Sequence, residues 1–78
     1  MTDTEALHVS NLLFTLAERM RVERLQTIDT NIRSALEYCI DMVELAAIAT
    51  AVGRMDLDHA DAIADAGELT LRRLRAVQ

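Results

Sequence analysis

The chain has 78 residues, room for one small domain and none for a catalytic fold built on a large sheet. Hydrophobic residues make up 51% and charged residues 27%, a globular balance, while no proline, two glycines and 3% aromatics are too few turn and strand formers for an all-β domain. Eight arginines against 13 carboxylates give a net charge of −5, which opposes any partner held by attraction to phosphate or acidic lipid.

Helical periodicity begins at once. Val9, Leu13, Leu16 and Met20 step by four, three and four, the spacing of one helix face, and Leu12 and Ala17 widen it. Thr2-x-x-Glu5 has the form of a capping box, so the first helix is expected over about 3–24. Leu7 and Phe14 share a second stripe, turned away from the main face, which something beyond the primary core has to cover.

The second segment carries the longest regular pattern. Ile28, Ile32, Ala35, Cys39, Met42, Ala46 and Ala49 form a heptad seam, and a parallel row of Leu36, Ile40, Val43 and Ala47 broadens it to a face roughly 160° wide at 100° per residue. From Met42 onward Leu45, Ile48 and Val52 lie on the opposite side, and a helix apolar all round is usually covered all round. Nothing but the stretch Thr27-Ile28-Asp29-Thr30-Asn31-Ile32 separates this helix from the first. Its β-branched and short polar residues suit caps better than helix interiors, so a break is expected around Gln26 to Asp29. Gly53 stands where a left-handed cap residue ends a helix, which bounds the second helix at about 28–52.

The third helix, about 58–76, takes Asp56 or Asp58 as N-cap. It follows Ala60, Ala64, Gly67, Leu71 and Leu74, flanked by Ile63 and Val77. Acid at its start and arginine at its end complement the helix dipole. The short link makes the second and third helices antiparallel neighbours, with Ala46, Ala47 and Ala49 expected to meet Ala60, Ala64 and Gly67. The fold class is therefore all-α, a three-segment helical bundle containing an antiparallel hairpin, one domain over 1–78, assembling into an oligomeric bundle.

Chemistry-bearing residues are few. Asp58, His59, Asp61 and Asp65 gather at one helix start, but no loop supplies the further oxygens a hard cation needs, and a solvated helix terminus accounts for them. His8 has no second histidine a turn away. Cys39, the sole cysteine, permits no intrachain disulfide and sits mid-seam, where it reads as a small buried hydrophobe. Ser10 and Ser34 lie in no nucleophile elbow, and no glycine-rich phosphate loop is present. No catalytic, metal or cofactor residue is assigned, and the chain is read as no enzyme. The clusters Arg19, Arg21, Arg24 and Arg72, Arg73, Arg75 close helix C-termini, and pairs such as Glu68 with Arg72 account for them; contact with an anion or an acidic partner is the alternative use.

The opening residues are acidic where a signal peptide is basic, and the longest apolar run, Leu45 to Val52, is far below the ~20 residues that span a bilayer. A cytoplasmic protein with no membrane contact is expected. In size and pattern the chain resembles small helical hairpins that pair into bundles, a group that includes an RNA-binding plasmid regulator and short accessory proteins of bacteria and phages, and no family's motif residues can be laid on it. The reading is a non-enzymatic interaction module, an adaptor, regulator or inhibitor. It works as a homo-oligomer, a dimer by preference, through Leu7, Phe14, Leu45, Ile48 and Val52, and binds a further protein. An RNA- or nucleotide-binding hairpin bundle using the arginine clusters is the alternative.

Overall fold

The stretch expected to interrupt the first two helices does so. In the computed structural model, which describes residues 3–77, α1 spans Asp3–Gln26, α2 Thr30–Ala51 and α3 Leu57–Val77, with no strand among the described residues. Thr27 ends α1 by turning its hydroxyl back to the Glu23 carbonyl at 2.7 Å. Asp29 is extended and caps α2, its carboxylate accepting from the Ile32 N–H at 3.0 Å. The capping box at the start of α1 rests on Thr2, outside the described residues.

At the far end of α2 the Arg54 N–H reaches the Ala49 carbonyl (2.7 Å) and the Gly53 N–H the Thr50 carbonyl (3.1 Å), the paired bonds of a Schellman ending. Gly53 has φ of +74°, a conformation that a Cβ disfavours. The chain thus turns into α3 within five residues, and Asp56 stands just before that helix.

The three helices pack as a rod of 41 × 18 × 15 Å. Its radius of gyration is 12.9 Å, above the roughly 11.5 Å of a compact chain this long. Val9, Leu13, Leu16, Ala17 and Met20 of α1 form the centre of the core, as their spacing implies. They meet Leu36, Ile40, Val43, Ala46 and Ala47 of α2 and Ala60 and Leu71 of α3. The most extensive contact is between α1 and α2. Their cross-pairs run in opposite order, Ser10 with Ala47, Arg21 with Glu44 and Arg24 with Glu37, whereas Arg19 with Glu68 and Glu23 with Arg75 climb α1 and α3 together.

Four expectations are corrected by this packing. The centre of the buried face of α2 is the row Leu36, Ile40, Val43, Ala47, and the heptad seam only borders it: Ala46 is buried and Ile32 and Cys39 are half-buried, but Ile28 is 94% exposed and Ala35 and Met42 lie open. A broad apolar face has its centre buried and its edge left over, and the seam is that edge. Cys39, on the seam, is half-buried rather than sealed. Leu12 does not join the core face of α1 and is exposed, while Ala17 is fully buried. Gly67 meets α1, not α2: a Cβ there would overlap the Leu16 side chain and crowd the Met20 methyl. Ala46, Ala47 and Ala60 do share one cluster, with Ala64 packed against it.

Candidate functional site

Turned at 100° per residue, α2 presents its buried row on one side and, roughly opposite, Tyr38, Met42, Leu45, Ala49 and Val52. These step by four, three, four and three. Tyr38 is 70% and Leu45 63% exposed, Met42 and Val52 more than half, and Ile48 beside them about half. The second-side set expected from the sequence is thus uncovered by α1 or α3. Leu7 and Phe14 on α1 are also exposed. The Ser10 and Arg21 contacts bracket Phe14 against the stretch of α2 that holds Leu45 and Ile48.

On the other flank of the stripe, α2 and α3 leave an apolar groove of about 220 Å³. Tyr38, Cys39 and Met42 form one wall, Ile63, Ala66 and Thr70 the other, and Met20, Val43 and Gly67 the floor. Gly67 contributes no side chain to the floor, and a Cβ there would press on the Leu16 side chain. Tyr38 and Ala66 went unremarked in the sequence because they break the expected seam. The signal that finds Tyr38 is its place four residues before Met42 and seven before Leu45.

Charge is arranged differently. Five ion pairs between described residues each have a partner on α1: Arg21 holds Glu18 and Glu44, Arg24 holds Glu37 at 3.0 Å, Arg19 holds Glu68, and Glu23 accepts from Arg75 at 3.1 Å. Four of the six arginines considered for anion contact are therefore engaged within the chain, while Arg72 and Arg73 are exposed. Glu68 pairs across to α1 and not along α3 to Arg72. The Arg19 hydrogen bond, against some opposing desolvation and with help from the charges of Arg19, Arg72 and Arg75, holds the Glu68 carboxyl below its ordinary range. The Glu44 carboxylate, chiefly by its hydrogen bond, raises the Arg21 guanidinium further.

The remaining candidates disperse. Ser10 is buried, its hydroxyl donating to the Ala47 carbonyl at 2.8 Å, and Ser34 is exposed on α2. Asp58, His59, Asp61 and Asp65 are exposed along the start of α3, and among the described residues no three His, Cys, Asp or Glu side chains gather as a metal site. Asp61 instead lines an open cavity of about 410 Å³ with Thr4, Glu5, His8, Val9 and Leu57 at the end of the rod. No described helix is long and apolar enough to cross a membrane. No family model, curated protein or solved structure matches this chain.

Proposed function

We propose that this protein is a non-enzymatic helical interaction module that works as a homo-oligomer, with α2 and α3 as its antiparallel hairpin and the outer side of α2 as its contact surface. The single observation that carries the reading is the run of half- to two-thirds-exposed Leu45, Ile48 and Val52, with Leu7 and Phe14 alongside on α1. Scattered exposed apolar residues are ordinary, but a contiguous row at helical spacing marks an interaction surface. The hairpin is supported by the five-residue turn after α2 and by the opposed running of α2 and shared running of α3 relative to α1.

Fully burying one such side chain is worth about 1.5–3 kcal/mol, and these are already partly hidden, so two copies together gain on the order of 10 kcal/mol. Association costs about 4–15 kcal/mol before any net affinity appears. The balance is close, which makes assembly depend on protein concentration. A protein partner bound by the assembled module is the further part of this reading, in the role of adaptor, regulator or inhibitor.

Sedimentation equilibrium across the micromolar range tests it. A mass above 8.7 kDa that rises with concentration is expected, and Ile48→Glu should shift the chain toward monomer with its helix content intact. A monomer throughout overturns the proposal.

A further inference from the structure

We infer that the second copy docks with its own α2 laid antiparallel across this α2, along Tyr38, Met42, Leu45, Ala49 and Val52, and thereby closes the groove between α2 and α3. The inference rests on the self-association proposed above and gives it an orientation and a second wall.

The amount of open surface is the first argument. The chain exposes 5320 Å², whereas a globular monomer of its mass exposes about 4,700 Å². The surplus of about 600 Å² approaches the ≈ 800 Å² that each partner contributes to a standard interface. A small ligand in the 220 Å³ groove would leave the stripe beside it bare. A second helix along α2 would cover both.

Spacing and bulk choose the occupant and its direction. The stripe repeats every seven residues, the period at which one helix packs along another, so its natural complement is a stripe of the same period. The chain itself supplies one. The bulky residues Tyr38 and Met42 begin the stripe, and the smaller Ala49 and Val52 end it, Val52 as the C-cap of α2. Parallel pairing would set Tyr38 against Tyr38 and leave a gap at Ala49. Antiparallel pairing about Leu45 sets Tyr38 level with Val52 and brings Met42 within one residue of the level of Ala49, large against small, which is how facing layers fill space. It also opposes the two helix dipoles.

Charge does not oppose the contact. Asp41 is the one ionisable side chain between Tyr38 and Val52 that borders the stripe on the α1 side, and antiparallel pairing about Leu45 keeps the two Asp41 residues apart along the axis. Glu37 and Glu44 are turned toward α1 and held by Arg24 and Arg21. The groove side offers Cys39, Ile63, Ala66 and Thr70, none of them charged.

Cys39 makes the contact readable in the unmodified protein, because it lines the groove, is half-buried and is the sole cysteine. Its alkylation by N-ethylmaleimide is followed at concentrations on both sides of the assembly midpoint. The rate is expected to fall in proportion to the monomer remaining. Met42→Glu, an exposed position whose helix content is checked by circular dichroism, is expected to be monomeric with concentration-independent labelling.

Orientation is read in a Cys39→Ser background. Tyr38→Cys chains mixed with Val52→Cys chains should form mixed disulfide dimers on mild oxidation, and Tyr38→Cys chains alone should not. Wild-type protein that stays monomeric removes both this inference and the reading beneath it. A concentration-dependent dimer in which Cys39 labels at the monomer rate, or which Met42→Glu leaves intact while Ile48→Glu or Phe14→Glu dissolves it, overturns the groove and leaves self-association standing. Cross-linking of Tyr38→Cys to itself overturns the antiparallel arrangement. Protection of Cys39 in monomeric protein identifies an occupant other than a second copy and equally overturns it.

Discussion

The seams that α1 makes with its neighbours and the seam between α2 and α3 are built from different materials. Along α1, fully buried Leu13 and Ala17 are flanked by ion pairs to both other helices, and the Ser10 hydroxyl crosses to the α2 backbone. Between α2 and α3, among the described residues, no ion pair crosses, and the outer half of the contact is an open apolar groove. A helix end or seam that is finished carries charge at its rim, since polar rims face water. On the proposed reading, the seam that stays apolar to its edge is the one a second copy completes.

The comparison is broken most directly by truncating one residue from each region. Leu13→Ala removes a side chain with no exposure at the centre of the α1 seam and should cost about 2–5 kcal/mol of unfolding free energy. Met42→Ala, at the groove wall, should cost the monomer about 0.5 kcal/mol or less, the ordinary effect of an exposed position. Urea denaturation at a concentration below assembly measures both, and equal losses would mean that the two seams are alike. Adjacent residues on α3 sharpen the contrast. Gly67→Leu drives a side chain into Leu16 and should lose about 1–3 kcal/mol, whereas Ala66→Leu enters the groove and should leave the monomer's stability within about 0.5 kcal/mol. Were Gly67→Leu harmless, α3 would not be seated on α1 through this glycine.

Local chemistry made much of this architecture readable from the sequence. The helix ends fall within two residues of their expected places, because Asp29 and Gly53 are cap residues whose function depends on the backbone immediately beside them. The main face of α1 was legible for a similar reason, since one stripe of four residues has one centre. On α2 two rows competed, and the sequence could not rank Ile32, Cys39 and Ala46 against Leu36, Ile40 and Val43, because which row is central depends on where α1 lies. The destinations of Glu68 and Gly67 were hidden likewise: both follow from the direction of a neighbouring helix. Of the candidate surface, Leu45, Ile48, Val52, Leu7 and Phe14 stand exposed as their displacement from the main faces implied, whereas the groove beside them arises between helices and leaves no mark in either one alone.

With no ion pair among the described residues to align α2 and α3, the turn between them carries more of that alignment. Gly53→Ala places a Cβ in open space, so its cost is conformational alone, about 1–2 kcal/mol for holding an alanine at positive φ. Gly53→Asn should lose less, since asparagine tolerates this region. Thermal unfolding of the two variants gives the order, and an alanine variant as stable as wild type would show that the turn relaxes without disturbing α3.

The smallest effect tests the charged side of the comparison. Arg19 lowers the Glu68 carboxyl below its ordinary value of 4.5, so folding favours the ionised form. A carboxyl depressed in the folded state contributes stability that is fully present above its unfolded value and is lost as pH falls through the folded one. The pair is more than one-third exposed and partly screened, which keeps its worth to at most ~1 kcal/mol. Wild type should therefore melt slightly above Glu68→Gln at neutral pH, by a margin that is full above the ordinary value of 4.5 and lost as pH falls through the lower folded one. Raising the salt concentration should shrink the same margin at neutral pH, because an exposed pair is screened. The matching change on the open seam, Thr70→Ala at the groove wall, should show no such dependence on acid pH or salt, since no carboxylate, histidine or arginine lines the groove from α2. A pH-independent margin for Glu68→Gln would mean that Arg19 and Glu68 do not hold α3 to α1, and the contrast between a charge-stitched and an unfinished seam would fail at that point.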